Sequence, residues 1–504
     1  MTSLGRRAEE VLERLGDTPS LHFEGRWHGS GELAGRARRA ARGFVDLGVA
    51  PGDRVVVVMA NCPEVGIAYA ALWRAGAVPT PVLFLLTEDE LRAVVADAGA
   101  RAVVTTPEFL AKVRAAAPEL PVVVVGEGGT VAFAELEAAD ELPLVDRCDD
   151  DLAALLYTGG TTGRSKGVAL THAGLDAAGA AGHAAGHRSG RTRGLQPLPL
   201  AHVYGLMVSV TGLHAVEPQV GVLMRWFDPV GFVRLVEEHR VQQTALVPSM
   251  IGMLLAQPLE EHDLSCLERV SSGGAPLSVA VARELERRLP GLQVAEGYGC
   301  TETSALISAQ PPDSRRLGTV GQPVPGVQVR IEAPDGSEQA VGVDGEICVR
   351  GPVLMQGYWN DPEATAQAVR DGWLHTGDVG HVDADGHLHV IDRIKDVIIR
   401  NGFNVHPRDV EDVLLAHPEV TAAAVVGRPD PAVGEEVVAF VALRPGSTAT
   451  PADLGAFARE RVSAAKYPRQ VRVVDSLPLT SVLKTDRKAL RAALAAEGTG
   501  EPPA

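Results

Sequence analysis

The chain has 504 residues, 45% hydrophobic and 22% charged, with a formal net charge of −17. Such a length exceeds one compact core and predicts two to four domains. The acidic balance excludes nucleic acid as a major partner, because a phosphate backbone demands clustered cations.

In chain order, "MTSLGRRAEEVLERLG" predicts a short amphipathic helix and lacks the apolar core of a secretory signal. From about Pro51 short β-rich runs alternate with helical ones. "RVVVVMAN" (54–61) reads as a buried strand and "EVGIAYAALWRAGA" (64–77) as a helix. "ARAVVTT" (100–106) and "PVVVVG" (121–126) read as further strands. Alternation of this kind indicates parallel β-α units in a layered α/β domain. "DLAALLYT" (151–158) is a strand that enters a glycine-rich loop, and "GVALTH" continues into an alanine-rich helix after His172. Between about Gly318 and Ile391 the text changes to short β-runs with Gly, Asp and Pro turns, which predicts hairpins and a small antiparallel barrel or sheet. After Asp392 a compact α+β segment of just over a hundred residues is long enough for a separate small domain. The tail "AAEGTGEPPA" reads as disordered. No apolar run reaches membrane-spanning length, and the five cysteines are scattered, which predicts a reduced, cytoplasmic setting.

"YTGGTTGRSKGV" (157–168) has the make-up of a phosphate-holding loop: glycines for close backbone approach, hydroxyls to donate, and one lysine. It is not the common P-loop, which needs Gly-Lys-Ser/Thr after its spaced glycine. Lysine is scarce here. Of 47 basic residues six are lysine: Lys112, Lys166, Lys395, Lys466, Lys484 and Lys488. A lysine is a compact charge on a flexible stem, which a planar guanidinium cannot replace at a crowded reacting centre. "EGYGCTETS" (296–304) offers an aromatic ring between two glycines for a flat base, then Thr301 for phosphate and Glu302 for a hard cation. "GWLHTGDVG" (372–380) sets Asp378 on a glycine-bracketed turn, suited to a ribose diol. His381, His387 and His389 flank an Asp-Gly turn, so a hairpin is favoured over a metal site.

The set "YTGGTTGRSKG", "PLAHVYG", "SGGAPL", "GYGCTE", "GWLHTGD", "DRIKDVIIRNGFNVHPRDVE" and a distal lysine resembles the adenylate-forming superfamily. That superfamily includes acyl-CoA synthetases, peptide-synthetase adenylation domains and firefly-type luciferases. The likeness spans nearly the whole chain in order and spacing. It implies an α/β multidomain fold: a large N-terminal domain (residues 1–394) of layered β-α units with a small β-barrel-like part, then a small mobile α+β domain (residues 395–504).

By position, the resemblance implies that Thr158, Gly159, Gly160, Thr161, Thr162, Gly163 and Lys166 hold the triphosphate. Gly274, Ala275 and Pro276 would line the adenine side, with Tyr298 and Gly299 near the base. Thr301 would touch the α-phosphate, Glu302 would hold Mg2+, and Asp378 and Arg393 would bind ribose. His202 would stand at the mouth of the acyl pocket. Lys395 falls at the hinge, Lys484 at the catalytic lysine, and Gly402 on the path of coenzyme A. The implied chemistry is attack of a carboxylate on the α-phosphorus of ATP, then thiol capture of the acyl-AMP. Handover of the acyl-AMP to a carrier protein or partner enzyme is the alternative. Two departures stand out: Gly159 where many members have serine, and Leu483 where a glycine usually precedes the lysine. "VYGLMVSVTGLHAV" after His202 is apolar and lacks an aspartate to pair a substrate amine, which predicts an apolar carboxylic acid. "FDP" (227–229) reads as the start of a helix.

Overall fold

The structure is a computed structural model and describes residues 3–158, 165–311, 314–480 and 483–499. The expected N-terminal helix runs Leu4–Leu15, with Ser3 accepting from the backbone of Arg6 at its start. Two sheets build much of the large part of the chain, one parallel and one mixed with a parallel centre. One has five strands in the order Val78–Pro81, Arg54–Val58, Ala102–Thr105, Val122–Val124, Val131–Ala132. Its all-apolar runs are buried on both faces, as a sheet covered by helices requires: Val55 through Val58 are at most 1% exposed.

The other sheet has nine strands. Its parallel centre runs Gln293–Tyr298, Arg269–Ser272, Gln243–Leu246, Arg193–Gln196, Val220–Leu223, Pro19–Phe23. Ligands of open parallel sheets bind beyond the carboxyl ends of the strands. Here those ends lead into "SGGAPL" and "YGCTE".

Lys166–Thr171 folds back antiparallel on Leu152–Thr158, with Thr158 opposite Lys166. The loop between them joins the two strands of a hairpin, and the expected helix follows at His172–Gly186. One expectation is corrected: Asp378 does not sit on a turn. It lies inside the long strand Trp373–Val382, opposite Arg393 and beside a bulge at Val379/Gly380. The bulge redirects a side chain within a continuing strand. The glycines there serve that bulge and the hairpin after it.

The region 318–391 forms antiparallel hairpins, with Gln328–Glu332, Gly345–Arg350, Trp373–Val382 and Leu388–Arg393 paired in one open sheet. The His381 and His389 rings stack across that sheet at 4.5 Å, with Asp344 beside the first and Asp383 beside the second. Hairpin partners of this kind are what the Asp-Gly turn predicts.

Beyond Asp396 a separate sheet joins Phe403–Val405, Ile398–Arg400, Gly434–Leu443 and Val420–Asp430, with Gln470–Val474 parallel to the third of these. Strand alternation sends Val425 to one core with Val410 and Leu414. Ala424 and Val426 face a second core with Phe440, Leu490 and Leu494. The last helix runs Arg487–Thr499, so the first half of the tail read as disordered, 495–499, is helical, and 500–504 lie outside the described residues.

Candidate active site

The two parts of the chain meet over a cavity of about 2210 Å³. That exceeds the usual range for a single small-molecule pocket, roughly 300–1,000 Å³, and leaves room for a nucleotide and a second substrate together. Thr158, Lys166, His202, Gly274, Ala275, Pro276, Tyr298, Gly299, Thr301, Glu302, Asp378, Arg393, Lys395 and Lys484 all line it. Gly159, Gly160, Thr161, Thr162 and Gly163 lie outside the described residues.

Lys484 reaches into the cavity from the small domain. Its Cε lies 3.4 Å from where a Cβ on Gly274 would stand, and Gly274 itself has φ +80°. A side chain there would be strained and would crowd the lysine. Lys484 forms no ion pair with any described residue, and burial, then the nearby Arg393, lowers its pKa. An unneutralised cation held this way attracts an incoming anion.

His202 caps the helix Val203–Gly212, its Nδ1 accepting from the backbone of Tyr204 at 3.2 Å. Burial, then Lys484, pushes its pKa down to about 3, so the ring is neutral and Nε2 carries the proton.

Asp378 is aimed by two donors. The Tyr298 hydroxyl donates to it at 2.5 Å and Arg393 Nε at 3.0 Å. The tyrosine ring is thereby fixed at the end of its strand. Glu302 Oε1 accepts from the Tyr358 hydroxyl at 2.9 Å, and the Lys166 ammonium lies 4.8 Å from the centre of the Tyr358 ring. Lys166, Tyr358 and Glu302 therefore form one chain of contacts that joins the phosphate loop to the acidic residue. Tyr358 carried no signal in the sequence beyond its place in "GYW". Burial, then Glu302, pushes the Cys300 thiol up, so it stays protonated.

The AMP-binding enzyme profile matches residues 8–359, and the AMP-binding enzyme C-terminal domain profile matches residues 409–484. The chain belongs to the AMP-binding enzyme family. This AMP-binding enzyme is 37% identical over 491 residues to 4-coumarate–CoA ligase 5 of Oryza sativa subsp. japonica, covering 92% of this chain and 89% of the relative. It is 39% identical over 455 residues to feruloyl-CoA synthase of an Amycolatopsis species, covering 89% and 90%. The amide bond synthetase McbA from Marinactinospora thermotolerans superposes with a TM-score of 0.88 at 32% identity, over 97% of this chain and 99% of that one. The AMP-binding enzyme described here is an AMP-forming acid–thiol ligase, which activates a carboxylic acid with ATP and transfers it to coenzyme A.

Two more contacts of this enzyme bear on the site. Glu296 is buried, and its Oε2 accepts from the backbone of Leu277 at 3.3 Å, tying "EGYG" to "SGGAPL". Burial raises its pKa to about 7. Leu483 takes a left-handed φ of +57° and packs against a core that includes Met250 and Leu277 of the large domain. The Ser249 hydroxyl donates to its carbonyl. Gly402 stands exposed at the tip of the hairpin Ile398–Val405, where both it and Asn401 have positive φ. Two such residues make the tight turn that suits paired strands.

Proposed function

We propose that Lys484 is the group that stabilises charge as the substrate carboxylate attacks the α-phosphorus, and that this orientation of the two domains is the adenylate-forming one. The observation that carries the reading is Lys484 itself: a half-buried cation, without an ion pair to any described residue, near Gly274, His202 and Asp378. Two anions must approach for this step, so a fixed positive group where charge gathers lowers the barrier. Neutral His202 fits a positioning role, offering Nε2–H toward the acid without adding charge. Thr301 follows Cys300 into the cavity and supplies a hydroxyl to the α-phosphate. Asp378, already aimed by Tyr298 and Arg393, accepts from the ribose diol, and the Gly274–Pro276 loop flanks the adenine.

Glu302 suits a divalent cation: its carboxylate lines the cavity, held at one oxygen by the Tyr358 hydroxyl. With Thr158 and Lys166 nearby, Glu302 would hold Mg2+, which neutralises charge on the departing pyrophosphate.

The domain boundary falls at Lys395. Arg393 is bound to Asp378 of the large domain, whereas buried Asp396 accepts from Arg491 of the small domain at 2.7 Å. Lys395 lies between them in a single 3-10 turn, Ile394–Asp396, and is the hinge of this reading. Rotation there would withdraw Lys484 and bring the Gly402 hairpin, with exposed Phe403 and Ile399, toward the site for the thiol step.

The acyl part of the cavity is walled by Gly182, Met207, Val208, Gly212 and Ala215, with the Tyr204 ring beside Gly273. Small and apolar walls around one aromatic ring suit a flat, apolar-bodied acid. Asp228, the nearest aspartate to that region in sequence, caps the helix Pro229–His239 and does not face an amine site. The names of the two CoA-ligase relatives point the same way. ATP–pyrophosphate exchange over a panel of aromatic and aliphatic acids tests the reading. Exchange driven by flat aromatic acids supports it, and exchange driven by amino acids refutes the pocket assignment.

A further inference from the structure

The acyl cavity lies against one face of the nine-stranded sheet. Side chains two apart on a strand share a face, and register partners on neighbouring strands share it too. Arg269 pairs with Gln243, Ser271 with Ala245, and Leu195 with Thr244. The face is therefore made by Arg269, Ser271, Gln243, Ala245, Gly194 and Gln196, and every one of these lines the cavity. Gly273, where Tyr204 crosses, is the next residue on that face and leads directly to Gly274 and Lys484. The opposite end of the same strand is Arg269.

Arg269 is 7% exposed. Its Nε lies 3.4 Å from the Ser271 hydroxyl, and it forms no ion pair with any described residue. The neighbouring guanidinium groups are neutralised, Arg191 by Glu268 and Arg315 by Glu286. Arg269 has no such partner among the described residues, and it lines the cavity. Burial, then Arg191, lowers its pKa to about 10, which still leaves it charged at neutral pH. The Gln243 amide beside it makes no side-chain hydrogen bond with any described residue, so a second donor is free at the same place. A buried cation without a counter-ion is costly, and a partner that supplies the missing charge gains that interaction on binding.

We propose that Arg269, with Gln243, forms a subsite for a second carboxylate at the far end of the acyl substrate, so that the preferred acid is a rigid diacid. The proposal rests on the acyl-pocket reading above. A carboxylate is the planar anion that a guanidinium fork binds through two parallel bonds. Four residue steps lead from Arg269 to Gly273, just past the strand's end, or roughly 13 Å of backbone. Less the reach of the arginine, that spans a para-substituted cinnamic acid from its reacting carboxyl to its para group.

The test compares trans-cinnamic acid carrying a para hydrogen, methyl, hydroxyl or carboxylate in ATP–pyrophosphate exchange with the full-length enzyme. The expected result is kcat/KM for the para-carboxylate about 10²-fold above the para-methyl acid, in the range of one charge-assisted contact. Arg269→Met should reverse that order. The wild-type ratio is decisive even where the variant fails to fold. A preference for para-methyl or para-hydroxyl over para-carboxylate, or an unchanged ratio in folded Arg269→Met, overturns the diacid subsite while leaving acid activation intact. Exchange with none of these acids, or any in the wider panel, overturns the acyl-pocket reading and this inference with it.

Discussion

Leu483 gives the sharpest quantitative prediction, because two opposing effects act on one residue. Its φ of +57° places an L-residue where the side chain clashes with its own backbone, at a cost of about 1–2 kcal/mol. Its side chain offsets that cost by packing half-buried on the large-domain core. Full burial of a leucine is worth about 1.5–3 kcal/mol, so half is worth about 1 kcal/mol. Leu483→Ala keeps the strain and loses the contact. It should weaken the loop conformation that presents Lys484 by about 1 kcal/mol, which is roughly fivefold in single-turnover acyl-AMP formation. Leu483→Gly loses the same contact but relieves the strain. It should match or exceed the natural enzyme. The bond from Ser249 goes to the backbone carbonyl and survives both changes. Rapid-quench measurement of acyl-AMP should rank Gly at or above Leu, and Leu above Ala. Alanine equal to leucine, or glycine slower than alanine, would refute this account of the loop.

Lys484→Ala should cut acyl-AMP formation by about 10²–10³-fold, as expected for one lost charge-stabilising donor. Thioester formation from supplied acyl-AMP should change far less, and equal loss in both halves would remove the role assigned to it. Lys395→Pro should leave ATP–pyrophosphate exchange near normal while thioester formation fails, because a fixed φ obstructs rotation in the turn; normal overall turnover would place the hinge elsewhere. Glu296 is raised from 4.5 to about 7 by burial, so its contribution to folding is fully present below pH 4.5 and is lost as pH rises through 7. Glu296→Gln should remove that loss of about 3 kcal/mol, seen as a flatter melting temperature between pH 4.5 and 8; a parallel pair of curves would contradict it.

Much of the site was legible because its chemistry needs uncommon residue types. In a chain that uses arginine for nearly every cation, Lys166, Lys395 and Lys484 stand out, and the structure brings all three to one cavity. The parallel sheets were legible because their strands are continuous apolar runs. The hairpin after Thr158 was not, because "GVALT" reads equally well as either kind of strand and only pairing decides. Asp378 looked like a turn residue for a related reason: glycines beside a β-bulge and glycines in a turn are written alike. Tyr358 and Glu296 act through single hydrogen bonds between distant segments, which leave no local pattern. Arg269 was hidden by the same arginine-rich composition that exposed the lysines. Its importance comes from lacking a partner, which only the packed sheet reveals.

The central claim is that one cavity makes an acyl-AMP and then converts it to a thioester. The most direct measurement is mass spectrometry of enzyme incubated with an accepted aromatic acid, ATP and Mg2+, sampled before and after coenzyme A is added. The account predicts acyl-AMP and pyrophosphate first, then acyl-CoA and AMP with the acyl-AMP consumed. Acyl-AMP that persists unchanged in the presence of coenzyme A would contradict it.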